Sequence, residues 1–458
     1  MQRSSSFALT ITLVGSSVAL AACNGDDGSA EAAESTDSGD GDGDPGDGDG
    51  DPGDGDPGDG DPGDGDPGDG DGDDESPCAW QWEAIQMKAN GQTHAGFDVA
   101  VATDGKLAVV GKIENQNDDA WVAMLDSTGR ILWEQVVDGG NGPDAAVGVT
   151  LDQAGDVVLV GRQAGSDNQD LWIEKRSAAA GAVVWTVLEV SEFDGDNEPG
   201  DIALAPDGSI VVSGTIRAGN QDSDIWVRKL ASTDGSEIWT STVSGTADAN
   251  GFSIDRGGPV AVAADGSVYV GGTEGVDFQT REGVLLRYGP DGGAAQWQIS
   301  PRADGSAHLH EVVAVTAGPD GEGYFVTYQG GNVWSFWLNR VAASGELEWE
   351  LSHEDFVYHP TDSWLVAGLA IADDGSLTIG GRLTNEEVGQ AISWSEVWIA
   401  NITLAGVGEC IAAHTWENTH IIPARTFGYG LAEGPSGAVV VGEILDGPEN
   451  YLWIGGFK

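Results

Sequence analysis

Short runs of apolar residues recur along most of the chain, and polar turn residues separate them. The first four runs cover residues 99–102, 107–111, 119–125 and 129–133, and the turn signals Asp-Gly and Ser-Thr-Gly stand between them. β-branched residues are frequent in the runs, and no long stretch has the 3.6-residue period of a helix. The pattern predicts four antiparallel strands, a to d, joined by tight turns.

This four-run unit occurs seven times, and the copies are 50 to 61 residues apart. The second run carries a glycine at Gly111, Gly161, Gly214, Gly272, Gly381 and Gly442, with a degenerate copy near Thr327. The third run carries Trp121, Trp172, Trp226, Trp337, Trp398 and Trp453, with Leu285 in the remaining copy. The fourth run carries Trp133, Trp185, Trp239, Trp297 and Trp349, and the sixth copy has Cys410 at or near this place. Such a period predicts a repeat architecture.

The count of runs predicts how the repeats close. The seventh copy ends with its third run at Trp453, and the missing fourth run stands at residues 80–85, where Trp82 corresponds to Trp133. An N-terminal strand that completes the last blade is the ring closure of a β-propeller, which hides sheet edges by radial repetition. We therefore predict an all-β fold, a seven-bladed β-propeller of four-stranded antiparallel blades over residues 78–458.

Twelve of the 17 tryptophans fall in the two periodic columns once Trp82 is included. Large aromatic side chains at a fixed period are typical of packing between blades, so we assign these twelve to the core. The other five are candidates for a surface role, and they are Trp80, Trp334, Trp364, Trp394 and Trp416.

Residues 104–111, followed by Asp119 to Trp121 and by Leu125 to Gly129, carry a family resemblance. These strings resemble the bacterial β-propeller repeats of the SBBP and delta-sixty type, and the likeness covers residues 78–458. The resemblance implies a secreted or surface propeller and no common chemistry. A weaker likeness connects the Gly and Trp endings to quinoprotein repeats, but the adjacent Cys-Cys pair and the eighth blade of the quinone dehydrogenases are missing.

Residues 1–22 predict a secretory address. Arg3 precedes about sixteen apolar residues, too few for a comfortable membrane span, and the run ends in Leu-Ala-Ala before Cys23. This resembles the bacterial lipoprotein signal, which implies that Cys23 carries the lipid and that the bilayer is a partner. The alternative is an ordinary signal peptide with an incidental cysteine. Asn24 is not the Asp of the enterobacterial retention signal, so we expect lipid anchoring in the cell envelope, at the outer membrane, surface or periplasmic face.

Residues 23–77 predict a disordered acidic tether. They contain 22 acidic and no basic residues, mostly in Gly-Asp-Pro repeats with almost nothing apolar to bury. A neutral chain of this length spans about 40 Å on average and about 180 Å when stretched, and charge repulsion places the tether between these limits.

The propeller segment is also acidic, since 54 acidic and 18 basic residues from residue 78 on give a net charge of -36. Nucleic acid is excluded as a partner because its phosphates need a basic face. We expect a monomer.

Three cysteines occur in the chain, at positions 23, 78 and 410. With Cys23 lipidated, Cys78 and Cys410 remain in an oxidising compartment, beside the predicted closing strand. We predict a Cys78–Cys410 disulfide that clasps this strand to the ring; two buried free thiols are the alternative.

Two weak metal candidates stand out, and no other cofactor is predicted. His308 and His310 would point to one side of an extended chain, which suits a metal ion, although solvated loop histidines are the default interpretation. Asp194, Asp196 and Glu198 could hold Ca²⁺, but Pro199 stands where such a loop needs glycine.

For function, the sequence favours a binding module over an enzyme. Asp98, Asp201 and Glu311 stand at or near the start of strand a, where the channel narrows, and with Trp364 they form a candidate binding face for a protein or a glycan. Nucleophile elbow, phosphate loop and dinucleotide motifs are not found. The alternative is a hydrolase or lyase with a His and carboxylate site at the channel mouth.

Overall fold

The computed structural model describes residues 80–86, 94–115, 117–140, 142–165, 168–190, 193, 195–219, 222–245, 253–275, 281–301, 310–329, 335–353, 362–372, 374–385, 394–406, 408–414, 425–446 and 449–457. The predicted signal peptide, Cys23, the tether and Cys78 lie outside the described residues. So do His308 and Asp194.

The described strands form seven antiparallel sheets, the blades. Blade 1 consists of β2 (His94–Val101), β3 (Leu107–Ile113), β4 (Asp119–Leu125) and β5 (Ile131–Val137). Blade 2 consists of β6 (Ala145–Leu151), β7 (Val157–Ala164), β8 (Gln169–Arg176) and β9 (Val183–Glu189). Blade 3 consists of β10 (Glu198–Leu204), β11 (Ile210–Gly219), β12 (Asp222–Leu230) and β13 (Glu237–Val243), with the short β14 (Ser253–Ile254) beside β12.

Blades 4 to 7 have the same order. Blade 4 consists of β15 (Arg256–Val262), β16 (Val268–Gly275), β17 (Arg281–Tyr288) and β18 (Trp297–Ile299). Blade 5 consists of β19 (His310–Ala317), β20 (Gly323–Gln329), β21 (Ser335–Val341) and β22 (Leu347–Ser352). Blade 6 consists of β23 (Asp362–Ile371), β24 (Leu377–Asn385), β25 (Trp394–Ile402) and β26 (Gly408–His414). Blade 7 consists of β27 (Arg425–Gly434), β28 (Gly437–Asp446), β29 (Glu449–Phe457) and β1 (Trp80–Gln86).

The N-terminal strand closes the ring, as predicted. β1 is antiparallel to β29, and the register places Trp82 opposite Gly456 and Ile85 opposite Trp453. The first strands of successive blades contact one another in a complete circle that ends with β27 against β2. Strand a is therefore the innermost strand of every blade. A helix of the length and hydrophobicity that a membrane crossing requires does not occur among the described residues.

Hydrogen bonds of the turns explain why the Asp-Gly signals predict the hairpins. In blade 1 the N–H of Ala102 donates to the carbonyl of Lys106, and the N–H of Gly105 donates back to Ala102, both at 2.8 Å. Gly105 has a φ of 80°, which a residue with a side chain adopts only under strain. Asp104 accepts the N–H of Lys106 and fixes the turn from its side chain.

Third-strand tryptophans fill the space between blades. Five of the six are at most 1% exposed, namely Trp121, Trp172, Trp226, Trp398 and Trp453. Trp337 differs, because it is half-buried and the preceding residue Phe336 is fully buried and stacks on Trp398 with ring centroids 5.6 Å apart. In blade 4 the register corrects the assignment of Leu285, since Val284 is the residue opposite Gly272.

Fourth-strand tryptophans connect each blade to the next. The indole N–H of Trp133 donates to the carbonyl of Ala178 at 2.8 Å, and the same bond joins Trp185 to Ser232 at 3.0 Å. Trp239 and Trp297 repeat it with Pro290 and Ala343. Because a buried indole N–H needs an acceptor, this repeated bond sets the spacing between blades as well as filling it.

Candidate functional site

The central channel is lined at one level by equivalent residues of the seven first strands. The pairing of strands a and b defines the level, since Asp98 lies opposite Val110 in blade 1 as Gly148 lies opposite Val160 in blade 2. The equivalent residues are Asp98, Gly148, Asp201, Pro259, Ala314, Gly368 and Gly430. Two acids therefore stand in a ring of small or apolar residues.

Both acids bind the backbone of the following blade in the same way. One carboxylate oxygen of Asp98 accepts the N–H of Val149 in blade 2 at 2.8 Å. One oxygen of Asp201 accepts the N–H of Val260 in blade 4 at 3.0 Å, and the other accepts the N–H of Ile202 at 2.7 Å. Each acid thus braces one inner strand against the next.

The two acids hold protons more strongly than ordinary aspartates. Burial is the main cause that raises the pKa of Asp98 well above its usual range, and the like charge of Asp201 adds to it. Burial raises the pKa of Asp201 to about 6, although its two backbone hydrogen bonds act in the opposite direction. Asp201 therefore holds a proton near neutral pH, on the innermost strand of its blade.

Glycines of neighbouring first strands leave the space that the two acids occupy. A Cβ on Gly148 would lie 3.4 Å from an oxygen of Asp201, and a Cβ on Gly430 would lie 2.7 Å from the Cα of Asp98. Blade 7 therefore approaches Asp98 closely through Gly430, and blade 2 approaches Asp201 through Gly148, which is consistent with burial as the main cause of both raised pKa values.

A second polar cluster lies inside strands a and b of blade 7, at the bulge of β27. The hydroxyl of Tyr429 donates to a carboxylate oxygen of Glu443 at 2.5 Å, and Phe97 contacts the Tyr429 ring edge-on. Burial raises the pKa of Glu443, while the positive charges of Lys112 and Arg382 lower it.

Glu311 does not join the two channel acids. It lies in the second position of β19, opposite Tyr328. Burial and the charge of Arg256 lower the pKa of Arg281, whereas Glu311 and Glu198 raise it, so these acids serve as counter-charges for an arginine pair.

Sequence reasoning missed a repeated buried position just before strand a. Asp144 accepts the N–H groups of Gly139 at 2.5 Å and Ala164 at 2.6 Å, and so joins the loop that enters the blade to the end of strand b. Asp255 does the same with Gly245 at 2.5 Å and Gly275 at 3.0 Å. The strand register shows the occupants of this position to be His94, Asp144, Asn197, Asp255 and His310, all at most 5% exposed. The available signal was a polar residue at this position in blades 1 to 5, two places before the strand a residue that pairs with the second-strand glycine or Thr327.

The two metal candidates are only partly covered by the described residues. His310 occupies the buried position shared with Asp144 and Asp255, and the proposed partner His308 lies outside the described part. Asp196 is exposed and accepts the N–H of Gln169 at 2.7 Å. Glu198 is the first residue of β10, and Asp194 also lies outside.

A different acidic cluster lies between blades 1 and 2. Carboxylate oxygens of Asp119, Asp138 and Asp144 lie within 4.8 Å of one another, close enough for a metal ion. Hydrogen bonds already occupy them, from Asn115 to Asp119, from Gly140 to Asp138 at 2.9 Å, and from two backbone N–H groups to Asp144. Burial raises the pKa of Asp144.

Trp364 and the cysteines are only partly covered by the described residues. Trp364 lies in β23 opposite Leu383, and Cys410 lies in β26 opposite Asn401, while neither side chain is among those described. Cys23 and Cys78 lie outside the described residues.

No protein-family model matches the sequence, and no curated protein matches it either. Among solved structures, the polysaccharide lyase Uly1 aligns with a TM-score of 0.53 at 9% identity, over 82% of this chain and 99% of that one. BamB from Moraxella catarrhalis aligns at 0.41 and 13% identity, over 83% and 100% of the two chains. A quinohemoprotein alcohol dehydrogenase from Comamonas testosteroni aligns at 0.40 and 12% identity, over 82% and 76%. The alignment with Uly1 supports the fold alone, and the TM-scores of the other two are too low to support a conclusion about fold or function.

Proposed function

We propose that the chain is a cell-envelope lipoprotein whose propeller binds another protein. The location rests on the predicted lipid anchor at Cys23 and on the acidic tether of residues 23–77, which would hold the propeller away from the bilayer. The binding role rests on one observation, that the position before the fourth-strand tryptophan is apolar and exposed in blades 1 to 3 and polar in the other four blades.

The contrast is clearest at the position just before each fourth-strand tryptophan. Leu132, Val184 and Ile238 occupy it in blades 1 to 3 and are 43%, 49% and 52% exposed. In the other blades it holds Gln296, Glu348, Glu409 and Gln81. Three places after the tryptophan, Val136 and Leu188 are exposed as well. We call Leu132, Val136, Val184, Leu188 and Ile238 the apolar outer wall.

Folding does not explain the apolar outer wall, because all seven blades pack in the same way and four of them carry polar residues at the first of these positions. Exposed large apolar side chains that are concentrated on neighbouring blades support an interaction site on this side of the propeller. The net charge of -36 makes a second copy of this domain an unfavourable occupant and favours a neutral or basic partner.

Strand β9 suggests how the partner binds. It is the outermost strand of blade 2, and its outward row Val184, Thr186 and Leu188 has no charge. Natural proteins protect such edges with charged residues or proline, yet Glu189 belongs to the other row and pairs with Arg228. An extended segment of the partner, with apolar residues at alternate positions, would add to β9 as a further strand.

The test is site-specific photo-crosslinking of the full chain in living cells. A benzophenone side chain at Val184 or Val136 should yield the same protein adduct, whereas the matched positions Glu348 and Gln296 should yield none. Replacing Leu188 by Lys should remove the adduct at Val136 without changing the melting temperature. Equal labelling of all four positions, or an adduct with a second copy of this chain, would contradict the proposal.

A second candidate function, hydrolysis or elimination at the channel mouth, is favoured by the proton that Asp201 holds. A carboxyl group with a pKa of about 6 can donate and accept a proton near neutral pH. The test is a polysaccharide panel assayed for reducing ends and for unsaturated products. Turnover that disappears in the Asp201→Asn variant would support catalysis, and an unreactive panel would count against it.

A further inference from the structure

Six of the seven contacts between neighbouring blades use one pair of residues. The fourth-strand tryptophan of one blade packs on the glycine in the turn between strands c and d of the next. The pairs are Trp82 with Gly129, Trp133 with Gly181, Trp185 with Gly235, Trp239 with Gly292, Trp297 with Gly345, and Trp349 with Gly406. A side chain would be strained at these glycines, whose φ angles lie between 68° and 91° and whose Cβ would lie 2.4 to 3.5 Å from the nearest atom of the indole.

For the seventh boundary, between blades 6 and 7, the sequence has a cysteine at both of the corresponding positions. Cys410 lies opposite Asn401 in the register, as Trp349 lies opposite Arg340, so it occupies the tryptophan position of blade 6. Cys78 precedes Trp82 by four residues, as Gly129 precedes Trp133, so by sequence it takes the glycine position of blade 7.

Two of these pairs place the relevant atoms at about the separation that a disulfide requires. A Cβ on Gly292 would lie 2.6 Å from Cγ of Trp239, and one on Gly345 would lie 3.1 Å from Cγ of Trp297. In a disulfide the Cβ of one cysteine lies about 3 Å from the sulfur of the other, by standard bond lengths and angles. In a cysteine at the tryptophan position, the sulfur is bonded to Cβ, as Cγ is in tryptophan. A disulfide does not need the volume that the rest of the indole fills in the other pairs.

Position 78 also escapes the backbone constraint on the glycines. In blades 1 to 6 a tight turn connects strands c and d, and its glycine has a positive φ. In blade 7 these strands are β29 and β1, from opposite ends of the sequence, so no turn joins them. The sequence position that corresponds to the turn glycine, residue 78, therefore need not be a glycine.

We propose that Cys78 and Cys410 form a disulfide that replaces the Trp–Gly pair at the closure of the ring. The two thiols lose two protons and two electrons, and a disulfide-bearing oxidant of the envelope takes them up by thiol–disulfide exchange, leaving as two thiols. The bond would fasten β1 to blade 6, while its hydrogen bonds fasten it to β29. This inference does not depend on the binding role.

The first test is mass spectrometry of the full chain extracted from the envelope, alkylated in denaturant without reductant and then digested. A linked pair of peptides containing Cys78 and Cys410, which separates on reduction, is expected. Alkylation of both cysteines before reduction, or linkage of either one to another protein, would overturn the proposal.

The second test uses thermal unfolding of variants. Cys78→Ser, Cys410→Ser and the double variant should lose the same amount of melting temperature, because each removes the same bond, and reductant should affect only the parent. The matched control, Cys78→Gly with Cys410→Trp, restores the ordinary pair and should regain stability that reductant does not change. Additive losses from the two serine variants would indicate two independent thiols and contradict the disulfide.

Discussion

At the scale of single residues, the buried position before strand a shows how one place in a repeat accepts different polar side chains. Asn197 occupies it in blade 3, where its oxygen accepts the N–H of Arg217 and its amide donates to the carbonyl of Glu189, both at 3.0 Å. Asp255 occupies it in blade 4 with acceptors only. The shared task is to satisfy backbone groups that folding buries.

Asp255→Ala should therefore destabilise the propeller much more than Asp255→Asn. Alanine leaves the N–H groups of Gly245 and Gly275 without their acceptor, which costs about 2–4 kcal/mol for two buried donors. Asparagine keeps one acceptor oxygen, as Asn197 does, and should lose less than half as much. Urea unfolding of both variants measures the difference, and equal losses would show that the carboxylate, rather than its hydrogen bonds, is required.

The two channel acids predict a fall in stability as the pH rises. In the folded protein Asp201 has a pKa of about 6, above its ordinary value of 3.8, so the folded state keeps a proton that the unfolded state releases. Its stabilising contribution is present below about pH 4 and is lost as the pH rises through 6, at most about 3 kcal/mol. Asp98 acts in the same direction.

The measurement compares urea unfolding of the parent with that of the Asp98→Asn, Asp201→Asn double variant between pH 4 and 8. The difference in stability between the two should change with pH in this window. A control variant with a substitution at the exposed turn residue Asp234 should show the same decrease in stability between pH 4 and 6 as the parent. If the double variant and the parent have parallel pH curves, the raised pKa values are wrong.

At the scale of strands, β1 reproduces the side-chain contacts of an ordinary fourth strand. Glu83 accepts the indole N–H of Trp453 at 3.2 Å, as Glu134 accepts that of Trp121 at 2.9 Å in blade 1. Removing residues 80–86 would leave β29 as an open apolar edge, so the deletion should abolish the folded monomer. Sedimentation and near-UV circular dichroism measure this, and a synthetic peptide of residues 78–86 should restore the parent spectrum. A monomeric deletion that melts like the parent would contradict the closure.

Strands and turns could be predicted from the sequence because they recur from blade to blade, and repetition distinguishes a structural position from chance. The ring closure followed from the one repeat in which the fourth strand stands at the other end of the sequence. Trp82 was assigned to the fourth-strand column on this ground, and Val284 was missed because the third strand of blade 4 has no tryptophan to set the register. The channel acids were placed near the start of strand a, yet their partners, Val149 and Val260, were not predictable. Contacts across blades depend on how the ring brings equivalent levels together, which no local pattern records.

The apolar outer wall is a second feature that the sequence pattern alone does not reveal. Leu132, Val184 and Ile238 look like ordinary strand residues in the sequence, since alternation does not say which strand of a blade faces water. Only the sheet order, with β5, β9 and β13 outermost, makes them exposed. Comparison of equivalent positions among the blades then shows which exposed apolar residues the shared packing does not require.

At the scale of the whole molecule, the ring has one closure, and its place is set by where the chain enters. Phe457 lies opposite Trp80 in blade 7 as Leu125 lies opposite Ile131 in blade 1, where residues 126–130 form the turn. Two contacts hold strand d in both blades. Its tryptophan packs on the turn glycine of the next blade, and its glutamate accepts the indole N–H of the third-strand tryptophan. The closure should therefore be movable.

A circular permutant tests this equivalence. Joining Phe457 to Trp80 through Asp-Ser-Thr-Gly-Arg and opening the chain between Leu125 and Ile131 moves the closure to blade 1. The linker puts glycine in place of Cys78, and Cys410→Trp completes the ordinary pair. We expect a folded monomer with the parent's near-UV spectrum and a melting temperature that reductant does not change. Aggregation of this permutant, while the unpermuted Cys78→Gly, Cys410→Trp variant folds, would show that blade 7 contributes to folding something that the repeat does not contain.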